Sequence, residues 1–224
     1  MAGKLIVFEG VEGAGKTTQI KRTYQWLKTQ LPQEVPLIVT REPGGTNLGQ
    51  QLRKILLGTG QNKLSGDVIP EPRERTELLL YAADRAQHVE EVLQPHLQQG
   101  GIVLCDRYTD STIAYQGYGR GIDLNLISQL NQIATGGLES DLTLWLDVAV
   151  EQGLTRAKKR GTIDRMEQAD LDFHYRVQKG FQQLAFTYPQ RMVRVDANLP
   201  EEEVWLQIQS ILCSKLTQLL KENL

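Results

Sequence analysis

One short segment of the chain has residue types and spacing suited to phosphate chemistry. It consists of Gly10-Val11-Glu12-Gly13-Ala14-Gly15-Lys16-Thr17 and fits the pattern G-x-x-x-x-G-K-[ST] at every position. Glycines let backbone N–H groups wrap a phosphate, and a helix that begins near Lys16 would point its positive dipole end there. Lys16 is expected to reach the outer phosphates, and Thr17 to hold Mg²⁺ between them. The segment, continued by Thr18, therefore predicts a site for Mg²⁺ and a nucleoside triphosphate.

An acidic residue ends a second apolar segment. Residues 101–105 (GIVLC) predict a buried strand, and Asp106 follows at its carboxyl end. Folds that bind nucleoside triphosphates carry a Mg²⁺-supporting acid at such a position. Strands also commonly end in Asp at a turn, so this position alone leaves both interpretations open. Together with the glycine loop, it makes Thr17 and Asp106 the candidate metal ligands.

The motifs of a GTPase are missing. A GTPase reads guanine with N-K-x-D, whereas the only Asn-Lys pair, Asn62-Lys63, continues with Leu-Ser. No Asp is followed three residues later by Gly, so the usual switch motif is missing too. A helicase or motor would be expected to be longer or to carry more basic surface.

Arginines concentrate near predicted loops. Six of them lie in such loops or at helix ends beside them: Arg41, Arg53, Arg85, Arg107, Arg160 and Arg165. Arginine pairs bidentately with phosphate and keeps its charge. At the carboxyl ends of a parallel sheet such residues would converge on the ligand crevice, although solvated surface is the alternative for each one taken singly. The set favours a crevice that neutralises a highly anionic ligand.

Strand and helix patterns alternate along the chain. Apolar runs predict five strands, at residues 4–9, 37–40, 101–105, 142–146 and 192–195. Helical spacing predicts helices at residues 16–31, 47–57, 73–99, 123–135, 150–159, 171–186 and 200–221. Pro95 is expected to kink or stop the third of these, and residues 58–72 to form a loop. The alternation predicts an α/β fold: a five-stranded parallel sheet flanked by helices in the three-layer sandwich of P-loop NTPases, formed by a single domain.

Composition and charge indicate which binding partners and which cellular compartment to expect. The 224 residues carry a net charge of −2 with a pI near 6.0, so there is no basic field to hold nucleic acid. No apolar stretch approaches the roughly 20 residues that span a membrane, and the first apolar run is too short for a signal peptide. Cys105 and Cys213 fit no metal or redox spacing. These features predict a cytoplasmic protein with neither a nucleic-acid nor a membrane partner.

The motifs together resemble those of the bacterial thymidylate kinases. They are FEGVEGAGKTT at 8–18, TREPGGT at 40–46, ELLLYAADRAQH at 77–88, CDRYTDSTIAYQGYGRG at 105–121 and RGTIDRMEQADLDFH at 160–174. Their order and spacing match the family over nearly the whole length, and DRY followed by STIAYQ is far more specific than the glycine loop. The resemblance implies a nucleoside-monophosphate kinase that phosphorylates dTMP to dTDP with Mg²⁺-ATP, for dTTP and DNA synthesis. It also implies a homodimer.

The resemblance assigns roles on the acceptor side by position. It implies that Glu9 lies near the acceptor sugar and phosphate, that Arg53 and Arg107 contact that phosphate, and that Arg85 hydrogen-bonds the thymine edge. Tyr81 stands where the family usually stacks a Phe on thymine, although its place after three leucines also suits a core residue. The other implied contacts are to the base from Thr112, to the 2′ side of the sugar from Tyr115, and to the base from Gln116.

A charged segment near the carboxyl-terminal third resembles the family's lid. Residues 160–169 would close over the ATP phosphates. The glycine loop carries Glu12 where one pattern of the family has its catalytic arginine, so the resemblance implies that the lid supplies this arginine. Arg160 is favoured for that role with Arg165 as the alternative, and Arg156 is a candidate contact on the adenine side.

Two alternatives remain open at the level of sequence. A kinase for another monophosphate, such as dUMP, UMP or CMP, would share the fold and the loop, and would differ in the pocket for the base. An ATP-binding regulatory module would have no acceptor at all. Dependence of ATP turnover on an added monophosphate separates the second alternative from the first.

Overall fold

Five parallel strands form one sheet. They are β1 (Lys4–Glu9), β2 (Leu37–Arg41), β3 (Ile102–Asp106), β4 (Leu142–Asp147) and β5 (Met192–Asp196). The computed structural model describes residues 3–58, 71–159, 161, 165–166 and 168–221, with side chains to residue 215. The strand order is β2-β3-β1-β4-β5, and every pairing is parallel. The predicted five-stranded parallel sheet is confirmed.

Helices cover both faces of this sheet. They are α1 (Lys16–Gln30), α2 (Asn47–Leu57), α3 (Glu74–His88), α4 (Gln94–Gln98), α5 (Thr109–Thr112), α6 (Leu124–Thr135), α7 (Val150–Lys159), α8 (Leu171–Thr187) and α9 (Glu201–Lys221). The bounds of α2 and α7 are those predicted, and α6 begins after Asp123, whose side chain accepts a hydrogen bond from the Leu126 N–H. None of the described helices is long and apolar enough to cross a membrane.

The strand β1 divides the core into two layers. Its side chains alternate, so that Ile6 and Phe8 belong to one buried cluster while Leu5 and Val7 belong to the other. All four side chains are fully buried, which is why the strand is a continuous apolar run rather than an alternating one. Glu9 at the carboxyl end of this strand is therefore carried on a rigid, buried element.

The long helix predicted at residues 73–99 is divided into three parts. The helix α3 passes into a π-helical turn, Val89–Leu93, and α4 follows it. Pro95 therefore lies in the first turn of α4, where a proline needs no N–H partner. The chain stays helical on both sides of Pro95, with Leu93 and Gln94 in right-handed helical conformation. The change before Pro95 is a π-helical turn, which the residue pattern does not indicate.

The sequence prediction missed a helical segment after β3. The helix α5 continues into a π-helix, Ile113–Gly119, which packs against α8. Glycines at two positions of that segment lower its intrinsic helix propensity. Tertiary packing compensates, because a Cβ on Gly119 would come within 2.6 Å of the Phe173 ring on α8. The segment carries several of the predicted acceptor-side residues, so this packing positions the site.

Candidate active site

The glycine loop between β1 and α1 is packed too closely for side chains at two of its positions. Gly13 has φ 69°, and a Cβ there would come within 2.0 Å of the carbonyl oxygen of Gly153 on α7. Gly10 has φ 143°, and a Cβ there would come within 2.5 Å of the Leu146 carbonyl oxygen. Only glycine fits both places. The loop is thus held in a tight turn directly before α1, as the phosphate-binding pattern requires.

Lys16 lies inside this loop. Its Nζ donates hydrogen bonds to the carbonyl oxygens of Gly10 at 2.9 Å and Val11 at 3.2 Å. Burial lowers the pKa of Lys16, and the positive charge of Arg107 lowers it further. An ammonium group in this position gains most when an anion replaces the carbonyl oxygens as its partner, because a phosphate offers it a full opposite charge.

Thr17 and Asp106 face the same space. Both line the main cleft, and both line a smaller side cavity of about 260 Å³ next to it. Oδ1 of Asp106 is buried without a hydrogen-bond partner. An unpartnered carboxylate oxygen that lines the same cavities as a threonine suits Mg²⁺, which takes oxygen ligands and keeps several waters and substrate phosphates in its shell. No group of three or more His, Cys, Asp or Glu residues that would hold a metal by protein ligands alone occurs in the described ranges.

Glu9 is fully buried and hydrogen-bonded through both oxygens. Oε1 accepts from the N–H groups of Tyr108 at 2.9 Å and Ser111 at 3.0 Å, and Oε2 accepts from the Ser111 hydroxyl at 2.6 Å. Burial raises the pKa of Glu9 to about 7, against the lowering influence of Arg107. The carboxyl group therefore fixes the chain between β3 and α5, which includes Arg107.

Arg107 connects the glycine loop to the acceptor side of the cleft. Nη1 donates to the Gly10 carbonyl oxygen at 3.0 Å, and Nη2 donates to Oε1 of Glu12 at 2.5 Å. The same Glu12 oxygen accepts from the Tyr115 hydroxyl at 2.9 Å, and the guanidinium lies over the Tyr115 ring at 4.9 Å from its centroid. A cation is thus held at the boundary between the glycine loop and the segment that carries the predicted base-contacting residues.

The two other predicted acceptor arginines differ in how they are held. Arg53 lines the cleft and donates from Nη1 to the Pro43 carbonyl oxygen at 2.9 Å. Arg85 also lines the cleft, but only 2% of its surface is exposed. Its guanidinium donates to Glu42 Oε2 at 2.8 Å, to Asn131 Oδ1 at 2.7 Å and to the Tyr108 carbonyl oxygen at 3.0 Å. Arg85 is therefore a fixed part of the cleft wall.

The predicted base-contacting residues lie together in the same cleft. Tyr81 on α3 is half-buried in its wall, and Thr112, Tyr115 and Gln116 follow β3 on α5 and the π-helix. Gln116 is buried, and its Nε2 donates to Oε1 of Glu77 at 2.8 Å. Sequence reasoning missed Glu77, because one acidic residue in the first turn of a helix looks like an ordinary solvated position.

A second missed cluster lies under the segment REPGGT. Oε1 of Glu42 lies 2.9 Å from Nδ1 of the fully buried His88, whose Nε2 lies 2.7 Å from the Thr40 hydroxyl. Oδ1 of Asp84 accepts from the Gly44 N–H at 3.0 Å. Burial raises the pKa of Asp84 to about 6, and the neighbouring charge of Glu42 adds to the rise. The spacing of Asp84, Arg85 and His88 on one helix is the signal that sequence reasoning left unused.

The three arginines predicted to lie on the donor side have different positions. Arg156 lines the cleft, and its Nη1 donates to the Ala197 carbonyl oxygen at 3.0 Å. Arg165 is buried, with Nε donating to the Leu56 carbonyl oxygen at 3.0 Å and Nη2 donating to Glu77. Arg160, the arginine favoured for the transferred phosphoryl group, lies outside the described residues. The predicted lid of residues 160–169 is described only in part.

One cleft of about 1060 Å³ brings these groups together. The glycine loop with Ala14, Gly15 and Thr18 forms one end, where the sequence predicts the phosphoryl donor. The other end, the predicted acceptor end, is formed by side chains from α2, α3 and the segment after β3, including Arg53, Tyr81 and Gln116. The cleft opens at the carboxyl ends of the strands, as ligand sites of open parallel sheets do.

This sheet with its glycine loop and arginine-lined cleft defines a kinase of the P-loop class. A family model described as Thymidylate kinase matches residues 8–208. The chain belongs to the thymidylate kinase family.

Individual relatives agree over nearly the full length. The chain is 57% identical to the thymidylate kinase of Trichodesmium erythraeum (strain IMS101) over 229 residues, covering 97% of this chain and 98% of that protein. It is 58% identical to the thymidylate kinase of Nostoc punctiforme over 213 residues, covering 95% and 96%. The crystal structure of thymidylate kinase from Ehrlichia chaffeensis superposes with a TM-score of 0.74 at 32% identity, covering 95% of this chain and all of that one.

Proposed function

We propose that this enzyme transfers the γ-phosphoryl group of Mg²⁺-ATP to dTMP and releases ADP and dTDP, a step towards dTTP. One observation carries the proposal: the glycine loop with Lys16 and a pocket containing Tyr81, Arg53 and Gln116 open into the same cleft. Arg107 lies where the two ends meet. A regulatory module that only binds ATP has no use for the second pocket.

The reaction needs charge neutralisation more than it needs a base. The second ionisation of a phosphomonoester lies near pH 6, so the acceptor is mostly a dianion at neutral pH. The obstacle is repulsion between two anions, and fixed cations with in-line positioning remove it. Lys16 serves the donor phosphates and Arg53 the acceptor phosphate, while Arg107 serves both from its place between them. Glu9 contributes by holding the backbone around Arg107 through Tyr108 and Ser111.

Thr17 and Asp106 would hold the Mg²⁺ ion. Bound there with ATP, the ion would supply positive charge that neutralises the phosphates. The hydroxyl of Thr17 and the unpartnered Oδ1 of Asp106 are the oxygen atoms offered for it. Asp106 is paired with Phe8 on β1 and with Arg41 on β2, so its backbone is fixed by both neighbouring strands.

The base and the sugar would occupy the acceptor end. Tyr81 offers an aromatic face to the thymine ring, and Arg85, Thr112 and Gln116 offer polar groups to its edge. The Tyr115 ring, held in place by its hydroxyl bond to Glu12, occupies the space next to the sugar. Crowding there favours deoxyribose over ribose.

The arginine that reaches the transferred phosphoryl group is proposed to be Arg160. Arg165 is the weaker candidate, because its guanidinium is engaged by Glu77 and the Leu56 carbonyl oxygen at the acceptor end. Arg156 remains the proposed contact on the adenine side. Residues 160–169 would act as the lid of this single domain and exclude water from the γ-phosphate.

The enzyme is proposed to act as a homodimer in the cytoplasm. Large apolar side chains are exposed on three helices that pack side by side, α2, α3 and α6: Leu48, Ile55, Leu79, Leu126 and Ile133. Exposed apolar surface of this kind commonly marks a protein contact. Sedimentation equilibrium of the wild type and of Leu79→Lys tests the dimer, with dissociation expected for the variant.

A coupled assay of ADP release tests the reaction. It compares dTMP, dUMP, dCMP, UMP and no acceptor at saturating Mg²⁺-ATP. The proposal requires that dTMP is preferred and that the blank is silent. Preference for another monophosphate would overturn the base assignment but keep the chemistry, while equal ATP hydrolysis without acceptor would overturn the kinase assignment for this cleft.

A further inference from the structure

A buried carboxylate lies behind the base end of the cleft. Glu77 is 1% exposed and lies on the same face of α3 as Tyr81 and Arg85, one and two turns before them. Both of its oxygens are engaged. Oε1 accepts from Nε2 of Gln116 at 2.8 Å, and Oε2 accepts from Nη2 of Arg165.

The ion pair determines which oxygen is left for Gln116. Arg165 is held against Oε2 by its second hydrogen bond, from Nε to the Leu56 carbonyl oxygen. Nη2 of Arg120 lies 3.7 Å from the same Oε2. Two guanidinium groups keep the side chain of Glu77 an acceptor-only carboxylate. Its Oε1 is therefore able to accept a hydrogen bond and unable to donate one.

Because Glu77 only accepts hydrogen bonds, it sets the orientation of the Gln116 side-chain amide. A glutamine amide has a donor end and an acceptor end, and its orientation is set by its partners. Since Glu77 only accepts, the nitrogen of Gln116 must point to it, and the amide oxygen must point the other way. Gln116 lines the cleft, and within the described residues its Oε1 makes no hydrogen bond. The cleft therefore receives an acceptor and not a donor from this side chain.

We infer that Glu77 is a specificity-determining positioning residue, which fixes Gln116 as a hydrogen-bond acceptor and so selects pyrimidines that carry an N–H at ring position 3. Thymine and uracil have this N–H, whereas cytosine has a lone pair there and would face the Gln116 oxygen without a hydrogen. The inference rests on the proposed function, because it assumes that a pyrimidine occupies this end of the cleft. It adds a residue that does not touch the ligand and acts through another side chain.

The test uses dUMP and dCMP, because their bases share a ring without the 5-methyl group and differ at positions 3 and 4. The ratio of kcat/KM for dUMP to that for dCMP is measured for the wild type, Glu77→Gln, Gln116→Met and the double variant. A glutamine at 77 is able to donate to Gln116, so the amide at 116 is free to turn its nitrogen to the cleft. We expect the ratio to fall about tenfold or more in each single variant, with little change in KM for ATP.

The double variant separates positioning from a general effect on the pocket. If Glu77 acts through Gln116, Glu77→Gln lowers the ratio no further in the Gln116→Met background. Glu74→Gln is the matched control, since it makes the same change on the exposed face of the first turn of α3. Its ratio is expected to equal that of the wild type.

Other outcomes contradict the inference in distinguishable ways. Equal losses for dUMP and dCMP in folded Glu77→Gln would make Glu77 merely structural and overturn the inference. If Glu77→Gln does not fold, because Arg165 is left unpaired, Gln116→Met decides alone, since it leaves the Glu77–Arg165 pair intact. An unchanged ratio in Gln116→Met would overturn the inference. A wild type that shows no preference for dTMP would instead overturn the proposed function itself.

Discussion

Oε1 of Glu12 accepts hydrogen bonds from both Arg107 and Tyr115, at 2.5 Å and 2.9 Å. One carboxylate of the glycine loop thus fixes an arginine and an aromatic ring that both belong to the segment after β3. The donor loop and the acceptor pocket are built as one unit at this point. A substitution of Arg107 is therefore expected to disturb mainly the junction between the glycine loop and the acceptor pocket.

The first prediction concerns Arg107→Ala. Since Arg107 is proposed to serve both phosphates, its loss is expected to lower kcat for dTMP by about 10³-fold. Binding of ATP is expected to weaken by less than about tenfold, because Arg107 contacts the loop at the Gly10 carbonyl oxygen and at Glu12 rather than at the N–H groups that wrap a phosphate. Steady-state kinetics and equilibrium titration with ATP measure the two effects. Equal losses in turnover and in ATP affinity would contradict a role at the acceptor.

The second prediction concerns the backbone of the same residue. Arg107 has φ 72°, in the left-handed region that non-glycine residues rarely adopt. A residue with a Cβ loses about 1 kcal/mol there relative to glycine. We expect the free energy of unfolding of Arg107→Gly to exceed that of Arg107→Ala by about 1 kcal/mol, although both variants lack the cation and are expected to turn over dTMP slowly. Urea denaturation measures this difference.

A control for this comparison lies nearby in the chain. Arg120 has φ −90°, so the usual preference for alanine over glycine applies there. Arg120→Ala is expected to be the more stable member of its pair. The same order at both positions would show that the left-handed backbone at Arg107 carries no cost.

The third prediction concerns pH and Glu9. Burial raises the pKa of Glu9 from 4.5 to about 7, so the folded protein favours the protonated carboxyl group. The stability linked to this proton is fully present below pH 4.5 and is lost as the pH rises through about 7. Glu9→Gln imitates the protonated form at every pH. The free energy of unfolding of Glu9→Gln, relative to that of the wild type, should therefore increase by up to about 3 kcal/mol as the pH rises from 4.5 to about 7.

Urea unfolding at pH 5 and pH 8 measures this gain. Ser111→Ala removes the hydroxyl partner of Glu9 Oε2 without changing charge, and serves as the control for a lost hydrogen bond. A difference between Glu9→Gln and the wild type that is the same at both pH values would contradict the raised pKa of Glu9.

The fourth prediction concerns Mg²⁺. Asp106→Asn removes the negative charge whose Oδ1 has no hydrogen-bond partner. The Mg²⁺ concentration for half-maximal activity is expected to rise about tenfold or more, with KM for dTMP nearly unchanged. Asp196→Asn, at the carboxyl end of β5 and outside the residues that line the cleft, is the matched control. Identical Mg²⁺ dependence in all three proteins would exclude Asp106 from the metal site.

The sequence was sufficient for the sheet and the glycine loop because their signals are local. The apolar run before Gly10 and the glycines themselves indicate a strand, a tight turn and a helix without knowledge of distant contacts. The π-helix at Ile113–Gly119 was not predictable in this way, since its stability depends on packing against α8. The roles of Glu77 and Asp84 were not predictable for a similar reason. Their partners, Gln116 and Gly44, are distant in sequence and come near only in the fold.

The last prediction concerns the support under the segment REPGGT. Asp84 accepts a hydrogen bond from the Gly44 N–H, and the adjacent Pro43 carbonyl oxygen accepts one from Arg53. Loss of the Asp84 oxygen should let this segment move and misplace Arg53. Asp84→Ala is therefore expected to raise KM for dTMP about tenfold while KM for ATP stays within about twofold, because the donor loop does not depend on Asp84.

Asp84→Asn is the matched variant for this position. It keeps an acceptor oxygen for Gly44 and removes a charge that burial disfavours, as the pKa of about 6 for Asp84 indicates. We expect its KM for dTMP to stay near that of the wild type, with a higher free energy of unfolding above pH 6, where wild-type Asp84 is ionised. If Asp84→Asn raised KM as much as Asp84→Ala did, the charge of Asp84 rather than its bond to Gly44 would be what positions the acceptor phosphate site.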